Sequence, residues 1–337
     1  MVNDRRTGSI SRRGFLGKAG MALLAGGLGT AVALEPADLK LGQVRKRKLG
    51  KTGLMLSEVG WGGHSWEYPR VPDGEGFRKV SEDEAVEMIS VALDMGVNFF
   101  DADTAVREHE LPGKVLKRLG RADEALVCFR LCHKMKGVEQ DKQEIYDFLD
   151  ERLQLWPKDY VDIMMVSMTT EDYWDMSYAI EALDKVKKEG KARFAGFGSH
   201  FTPENYLEAI EKYGEAFDMC SMPYNVRHRA AEEILPAADK AGLGIVTIKP
   251  FARGSLLKDK DLTGEDKGLP REMVRFVLDN ELVDCCIIGC HTLSHMIENF
   301  GASWTKSSPQ ASAALRRVAV HTVCDDEGWL ERGWLRV

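Results

Sequence analysis

The chain has 337 residues, of which 44% are hydrophobic and 29% charged, and this length allows one large barrel or two medium domains. The formal net charge of −7 argues against nucleic acid as the main partner. Seven cysteines are scattered without a Cys-x-x-Cys pair, which argues against a zinc ribbon or an iron–sulfur cluster, and no metal site is predicted.

Paired arginines stand ahead of a run of small and apolar residues at the amino terminus. Arg12-Arg13 precede the run at residues 19–33, which ends in Ala31-Val32-Ala33. This ending is typical of a signal-peptide cleavage site, and the run is too short and too weakly hydrophobic for a stable membrane span. The segment resembles a twin-arginine export signal. The resemblance implies the twin-arginine export machinery as a partner and a periplasmic or otherwise exported location; the alternative is a basic tail.

The next part of the chain has apolar runs punctuated by glycines. Residues 45–63 hold two such runs and predict a hairpin followed by a first strand. Residues 64–79, which include Tyr68, predict a loop over the carboxyl end of that strand. Ser81 and Glu84 stand three residues apart before an apolar stripe, which is the signature of a capping box and predicts the start of a helix.

Strand and helix patterns alternate from there to the carboxyl end. The predicted strands are residues 97–100, 125–131, 161–166, 192–197, 217–222, 245–248 and 285–288. The predicted helices are residues 143–155, 178–189, 230–241, 272–278 and 295–304, with another that starts at Thr202-Pro203. Eight strand–helix units over about 250 residues predict an α/β fold, a (β/α)8 TIM barrel. An open doubly wound sheet is the alternative, but no Gly-x-Gly-x-x-Gly follows the first strand.

These elements predict the organisation of the whole chain. A signal peptide at residues 1–33 and a linker at 34–43 precede the barrel at 44–305, which includes the amino-terminal hairpin as a plug. Residues 306–337 form a carboxyl-terminal tail with a helix from Ala311.

Three phrases of the sequence are specific enough to suggest a family. Asp101 follows the buried strand in Gly-Val-Asn-Phe-Phe-Asp, at a strand end where parallel α/β proteins place their chemistry. The other two phrases are Leu-Gly-Lys-Thr-Gly-Leu at residues 49–54 and Phe-Asp-Met-Cys-Ser-Met-Pro-Tyr-Asn at residues 217–225. Together they resemble the aldo-keto reductase family, and the resemblance covers residues 45–303.

The resemblance implies a catalytic tetrad of Asp, Tyr, Lys and His, of which only the Asp, Asp101, is retained. The position of the Tyr falls within residues 106–109, where His109 is a substitute acid–base candidate. Other candidates are Glu108, Glu110, His133, Lys134, His64 and Tyr68. Arg130 stands for the Lys and Ser167 for the His. Because arginine stays charged and serine is a neutral donor, the family's usual proton relay is not expected to run here. Asp101 and Arg130 are predicted to form either an ion pair or a site for a substrate carboxylate.

The segments that the family uses for its nucleotide are better kept than the tetrad, so the resemblance implies NADP or NAD as cofactor. It assigns the nucleotide to Ser199, His200, Ser221, Lys249, Pro250, Gly254, Gly289, Glu298 and Asn299. Two of these depart from the family, because His200 stands for an Asn and Ser221 for the Gln that meets the nicotinamide carboxamide. Free NAD(P)H is not expected outside the cytoplasm, so the nucleotide is predicted to be tightly bound.

Three functional hypotheses follow. The first is an aldo-keto reductase-like oxidoreductase that transfers hydride between NAD(P)(H) and a small-molecule carbonyl or sugar-like substrate, with a non-standard acid–base set. The second is a non-redox enzyme, a lyase or epimerase, that works beside a fixed nucleotide. The third is a catalytically inactive, ligand-binding barrel. The retained nucleotide motifs favour the first two, and the altered tetrad favours the last two.

Overall fold

Helices and strands alternate along the part of the chain that the computed structural model describes, which is residues 41–65, 71–74, 76–103, 110–133, 138–168, 176–199, 202–257 and 266–320. The strands are β1 (Lys46–Lys48), β2 (Met55–Ser57), β3 (Val59–Gly62), β4 (Val71–Asp73), β5 (Gly76–Arg78), β6 (Phe99–Asp103), β7 (Leu126–His133), β8 (Val161–Met168), β9 (Ala192–Ser199), β10 (Met219–Pro223), β11 (Gly244–Ile248) and β12 (Cys285–Ile288). The helices are α1 (Glu82–Asp94), α2 (Glu110–Leu119), α3 (Val138–Leu155), α4 (Ser177–Lys188), α5 (Pro203–Tyr213), α6 (Ala231–Lys240), α7 (Leu269–Leu278), α8 (Leu293–Phe300) and α9 (Pro309–Val320).

Eight parallel strands close into a barrel. Their order around the barrel is β3, β6, β7, β8, β9, β10, β11 and β12, and a helix follows each strand before the next one begins. The predicted fold class, a (β/α)8 TIM barrel, is therefore confirmed. All eight strands point the same way, so their carboxyl ends meet at one mouth, where such barrels carry their sites.

The barrel interior changes from apolar to polar toward that mouth. Its buried apolar cluster includes Phe99, Cys128, Met165 and Met219. Because side chains alternate along a strand, the residues two places further on also face the interior. Those residues are Asp101, Arg130, Ser167 and Ser221.

The antiparallel hairpin of β1 and β2 closes the opposite end of the barrel. Its residues Leu49, Leu54 and Leu56 belong to the inner apolar cluster, so the hairpin predicted at the start of the barrel acts as a plug. Gly50 has a φ of 40°, and a Cβ built on it would lie 2.3 Å from the backbone nitrogen of Gly244. Both the conformation and the close approach require glycine here.

A carboxyl group joins the plug to the barrel wall. The Oδ2 atom of Asp284 accepts hydrogen bonds from the backbone N–H of Gly50 (3.2 Å) and of Ile245 (2.8 Å). Burial raises the pKa of Asp284 to about 6, and the two N–H donors only partly offset this effect. The folded protein therefore favours the neutral carboxyl more than the unfolded chain does.

We expect the Asp284→Asn variant to be more stable than the wild type at pH 8 by about 1–3 kcal/mol, and equally stable at pH 4. The folded pKa lies above the unfolded one, so the stabilising contribution of Asp284 is present at low pH and is lost as the pH rises through about 6. The amide keeps an acceptor oxygen and never ionises. Urea unfolding at both pH values measures the difference. Glu281→Gln, at an exposed acid nearby, is the control, and a less stable Asp284→Asn variant at pH 8 would contradict the prediction.

Three predicted elements differ from the structure. Residues 64–79 do not form only a loop, because β4 and β5 pair there as an antiparallel hairpin. The hairpin was missed because its strands are three residues long, which is too short for alternation to show. Helix α3 begins at Val138 rather than at residue 143, and α7 begins at Leu269 with a proline in its first turn. The predicted capping box of Ser81 and Glu84 is confirmed.

The last described helix, α9, packs on loops at the barrel mouth. Its residues Ala314 and Val318 form a buried cluster with Val226 after β10, Leu256 after β11 and Met273 in α7. A helix was predicted in this tail, and its first turn begins two residues before the predicted start. The helix thus supports the loops that follow β10 and β11.

Candidate active site

Three polar side chains meet inside the barrel mouth. The Nε and Nη2 atoms of Arg130 lie 3.3 and 3.2 Å from the two carboxylate oxygens of Asp101. The same Nη2 donates to the hydroxyl of Ser221 at 3.1 Å. Asp101 is on β6, Arg130 on the adjacent β7, and Ser221 on β10, three strands further around the barrel. The guanidinium therefore spans the mouth from one wall toward another.

The pair is buried, and its charges compensate each other. Asp101, Arg130 and Ser221 are 7%, 3% and 0% exposed. A charge at this depth is costly unless it is paired and hydrogen-bonded, and the two-point contact with the guanidinium provides both. Of the two alternatives left open by the sequence, the geometry shows the ion pair.

The walls next to the pair are tightly packed. Ser167 is buried on β8, where its register partners are Cys132 and Gly198. A Cβ built on Gly198 would lie 2.0 Å from Cε of Met165 and 2.9 Å from the carbonyl oxygen of Ser221. A side chain at Gly198 would therefore displace Met165 and press on the strand that carries Ser221.

Ser221 is held from both sides. Its hydroxyl accepts from Arg130, and its carbonyl oxygen accepts from the hydroxyl of Tyr206 in α5 at 2.6 Å. Ser199 ends the neighbouring strand β9. Two of the positions that the resemblance assigns to the nicotinamide end, Ser199 and Ser221, thus lie on the adjacent strands β9 and β10, and the third, His200, lies outside the described residues.

The turn after β11 has an unusual backbone. Lys249, Ala252 and Arg253 have φ values of 60°, 45° and 55°, in the left-handed region that non-glycine residues rarely adopt. Gly254 follows with a φ of 91°. Such conformations persist only where neighbouring contacts hold them, and they are frequent at ligand sites.

Asn225 holds the first residue of this turn, and the sequence did not single it out as a site residue. Its Nδ2 donates to the carbonyl oxygen of Lys249 (2.9 Å) and bonds Nδ1 of His228 (2.8 Å). Its Oδ1 accepts from the backbone N–H of Arg227 and of His228, both at 3.0 Å. Asn225 is fully buried. It therefore ties the loop after β10 to the left-handed residue after β11; its place in the Pro-Tyr-Asn phrase was the only available signal.

The strand ends of β3 and β12 are joined by Ser65. Its hydroxyl accepts from the backbone N–H of Cys290 (2.9 Å) and donates to the carbonyl oxygen of Gly62 (2.7 Å). Asn299 in α8 approaches the sulfur of Cys290 at 3.7 Å, and burial raises the pKa of that thiol to about 12. Cys290 is therefore a thiol, not a nucleophilic thiolate, at neutral pH.

None of the three residues assigned to the adenosine end has a cationic side chain, although Arg271 of α7 interacts electrostatically with Glu298. Gly289 follows β12, and Glu298 and Asn299 are buried in α8 at 2% and 5% exposure. Burial lowers the pKa of His295 in the first turn of that helix, which favours its neutral form. These residues are buried in the helix, and none of them provides a cation for a phosphate group.

The residues at the mouth differ in how well they fit a nicotinamide nucleotide. On the turn after β11, half-buried Lys249 and exposed Arg253 offer positive charge. Within the described structure nothing lies within 4 Å of a Cβ built on Gly254, so the described residues leave this side of the turn open. On the ring side, Ser221 is already held by Arg130. The turn after β11 therefore suits the phosphates of a nucleotide. At the nicotinamide end, one assigned residue, Ser221, is also bonded to the Asp101–Arg130 ion pair.

His109, His200 and Tyr68 lie outside the described residues. The described residues contain no group of His, Cys, Asp and Glu suited to a metal ion. None of the described helices combines the length and the apolar character that crossing a membrane requires.

Comparisons with known proteins agree with this architecture. L-galactose dehydrogenase from Arabidopsis thaliana is 26% identical over 296 residues, which cover 77% of this chain and 88% of the relative. The uncharacterized oxidoreductase YqkF from Bacillus subtilis is 26% identical over 229 residues, which cover 65% of this chain and 68% of that protein. The holo form of the aldo-keto reductase AKR11C1 from Bacillus halodurans shares the fold, with a TM-score of 0.62 at 20% identity over 84% of this chain and 99% of that one.

A family model gives the assignment. Residues 60–273 match the model of the aldo/keto reductase family, a span that runs from β3 into α7 and includes Asp101, Arg130 and Ser221. Because this span is more than half of the chain, the protein belongs to the aldo/keto reductase family of oxidoreductases.

Proposed function

We propose that the protein is an NAD(P)(H)-dependent oxidoreductase that transfers hydride to or from a carbonyl or alcohol with a non-standard acid–base set. The observation that carries the proposal is the turn after β11, where Lys249 and Arg253 place positive charge beside Gly254 in a barrel of this family. A nicotinamide nucleotide, when bound, would supply or accept the hydride.

The residues of the chain divide the remaining work. Lys249, Pro250 and Gly254 would hold the phosphates on the turn after β11, with Arg253 adding charge. Ser199, His200 and Ser221 would face the nicotinamide end. Gly289, Glu298 and Asn299 would border the adenosine end.

Arg130 cannot take the part of a proton donor, because its guanidinium stays protonated at any working pH. A charged guanidinium can still stabilise an oxygen that gains negative charge, provided the oxygen reaches it. The proton must then come from another group. We propose His109 for that role, with Asp101 orienting Arg130 and Ser167 contributing a neutral donor.

The proposed substrate is a small-molecule carbonyl or a sugar-like compound. The first comparison protein is named for the oxidation of a sugar, L-galactose, and it shares most of its length with this chain. The family spans many carbonyl compounds, so the proposal extends to the class and not to that sugar.

The first test is the nucleotide content of the purified protein, which separates the two nucleotide-dependent hypotheses from the ligand-binding barrel. Protein purified after export would be denatured, and the supernatant analysed by mass spectrometry for NAD(H) and NADP(H). We expect about one nucleotide per chain, since a tightly held cofactor suits an exported oxidoreductase. A barrel that releases no nucleotide and binds no added NADPH or NADH by calorimetry would overturn the proposal and leave a ligand-binding barrel.

We propose that residues 1–33 direct export through the twin-arginine route. The chain carries a second arginine pair, Arg5-Arg6, which offers a matched control. We expect Arg12→Lys with Arg13→Lys to leave the precursor in the cytoplasm, because the signal is read at that pair. Cell fractionation and immunoblotting measure the effect. The same change at Arg5 and Arg6 should leave export intact, and export of the Arg12/Arg13 variant at wild-type levels would contradict the proposal.

A further inference from the structure

Arg130 is already hydrogen-bonded to Ser221, a residue that is proposed to bind the cofactor. Its Nη2 lies 3.1 Å from Oγ of Ser221, which is fully buried. The hydroxyl still has its own proton to donate, but a ligand group that takes the place of Nη2, or enters the space that the guanidinium fills, must first displace the guanidinium. The displacement breaks a charge-assisted hydrogen bond, which is stronger than a neutral one.

The surroundings leave the guanidinium and Ser221 little freedom to separate by other means. Asp101 holds Arg130 at two points from the wall on β6. Tyr206 holds the carbonyl of Ser221 from outside the barrel, and Met165 fills the space beside Gly198. Neither strand can move away without breaking these contacts. The route that leaves both strands in place is a change in the conformation of the Arg130 side chain, which also gives up contacts with Asp101.

The two departures from the family at this place are complementary in size. Arginine is longer than lysine, and serine is shorter than glutamine, so the long side chain on β7 meets the short one on β10 across the barrel. A glutamine at position 221 would overlap the guanidinium as it lies now. An arginine at position 130 thus requires a short residue such as serine at position 221.

We propose that Arg130, through its contact with Ser221, is the residue that determines how tightly the barrel binds the nicotinamide end of a nucleotide. The inference rests on the proposed function, because it concerns the same cofactor. In the free protein the guanidinium covers Ser221, and binding requires it to leave. The nucleotide affinity is lowered by that requirement.

The experiment measures NADPH binding by calorimetry on nucleotide-free protein with three variants: Arg130→Lys, Ser221→Gln, and both together. We expect Arg130→Lys to bind NADPH about tenfold more tightly, since the contact to be broken is absent. Ser221→Gln alone should not gain, because its side chain competes with the arginine. The double variant should exceed the sum of the single changes in binding free energy, which is the sign of direct coupling.

Arg193→Lys is the matched control. Arg193 pairs with buried Asp162 at 2.7 Å near the amino-terminal end of the strands, so it tests an ion pair with a buried carboxylate away from the mouth, although Arg193 itself is more exposed than Arg130. Its affinity for NADPH should equal that of the wild type. Thermal unfolding of every variant checks that it is folded, and a purely structural role for Arg130 would change the melting temperature while leaving the NADPH affinity unchanged.

The possible outcomes separate the inference from the proposed function. NADPH binding by the wild type that equals binding by Arg130→Lys overturns the inference and leaves the proposed function intact. Additive effects in the double variant also overturn it. Absence of binding by the wild type and by all three folded variants overturns the proposed function, and the inference with it.

Discussion

Replacing Arg130 by methionine is expected to lower the free energy of unfolding by about 3–5 kcal/mol, because it leaves a buried carboxylate without its cation. Asp101 is 7% exposed, and Arg130 contacts both of its oxygens. Methionine keeps most of the side-chain volume, so loss of packing contributes little. Urea unfolding at pH 7, followed by circular dichroism, measures the change.

The double variant Asp101→Asn with Arg130→Met shows whether charge is the cause. It removes both charges and should recover part of the stability lost in Arg130→Met, because no unpaired charge is then buried and a buried amide costs less than a buried carboxylate. Asp101→Asn alone should also be destabilised, since it leaves the guanidinium buried without a counter-charge. A loss below about 1 kcal/mol for Arg130→Met would place the pair among surface-like ion pairs and contradict the burial argument.

The cluster of Asp101, Arg130 and Ser221 was only partly predictable from the sequence. That Asp101 and Arg130 are neighbours follows from the order of the strands, because consecutive strands of such a barrel are adjacent. The contact from Arg130 to Ser221 joins β7 to β10, and it depends on the side-chain conformation of a long residue. No strand pattern or spacing contains that information.

The fold was predictable because its signals are long and repeated. Eight apolar runs alternate with helical stripes, and each pair adds independent support for a barrel. The short hairpin of β4 and β5 gave no such signal, since each of its strands is three residues long. The left-handed conformation of Lys249 was equally hidden, because lysine has no preference for it and a neighbouring side chain imposes it.

Replacing Asn225 by alanine is expected to lower the free energy of unfolding by about 2–4 kcal/mol, because the variant leaves several buried groups without hydrogen bonds. The lost partners are the carbonyl oxygen of Lys249, the ring nitrogen of His228 and the backbone N–H groups of Arg227 and His228. Lys249 should then relax out of the left-handed region, which costs free energy to maintain. Urea unfolding measures the stability, and calorimetry with NADPH measures the consequence for the turn.

Two further variants separate the contribution of Asn225 to stability from its contribution to nucleotide binding. Asn225→Asp keeps the oxygen that accepts from the backbone and loses the donor to Lys249, so it should retain part of the stability and still weaken NADPH binding about tenfold or more. Asn98→Ala is the matched control, because Asn98 joins the plug to β6 by accepting from Ser57 and donating to Met55, at the far end of the barrel. It should cost stability without changing nucleotide affinity. If Asn225→Ala and Asn98→Ala lose stability alike and both bind NADPH as the wild type does, Asn225 supports the fold alone and does not shape the phosphate turn.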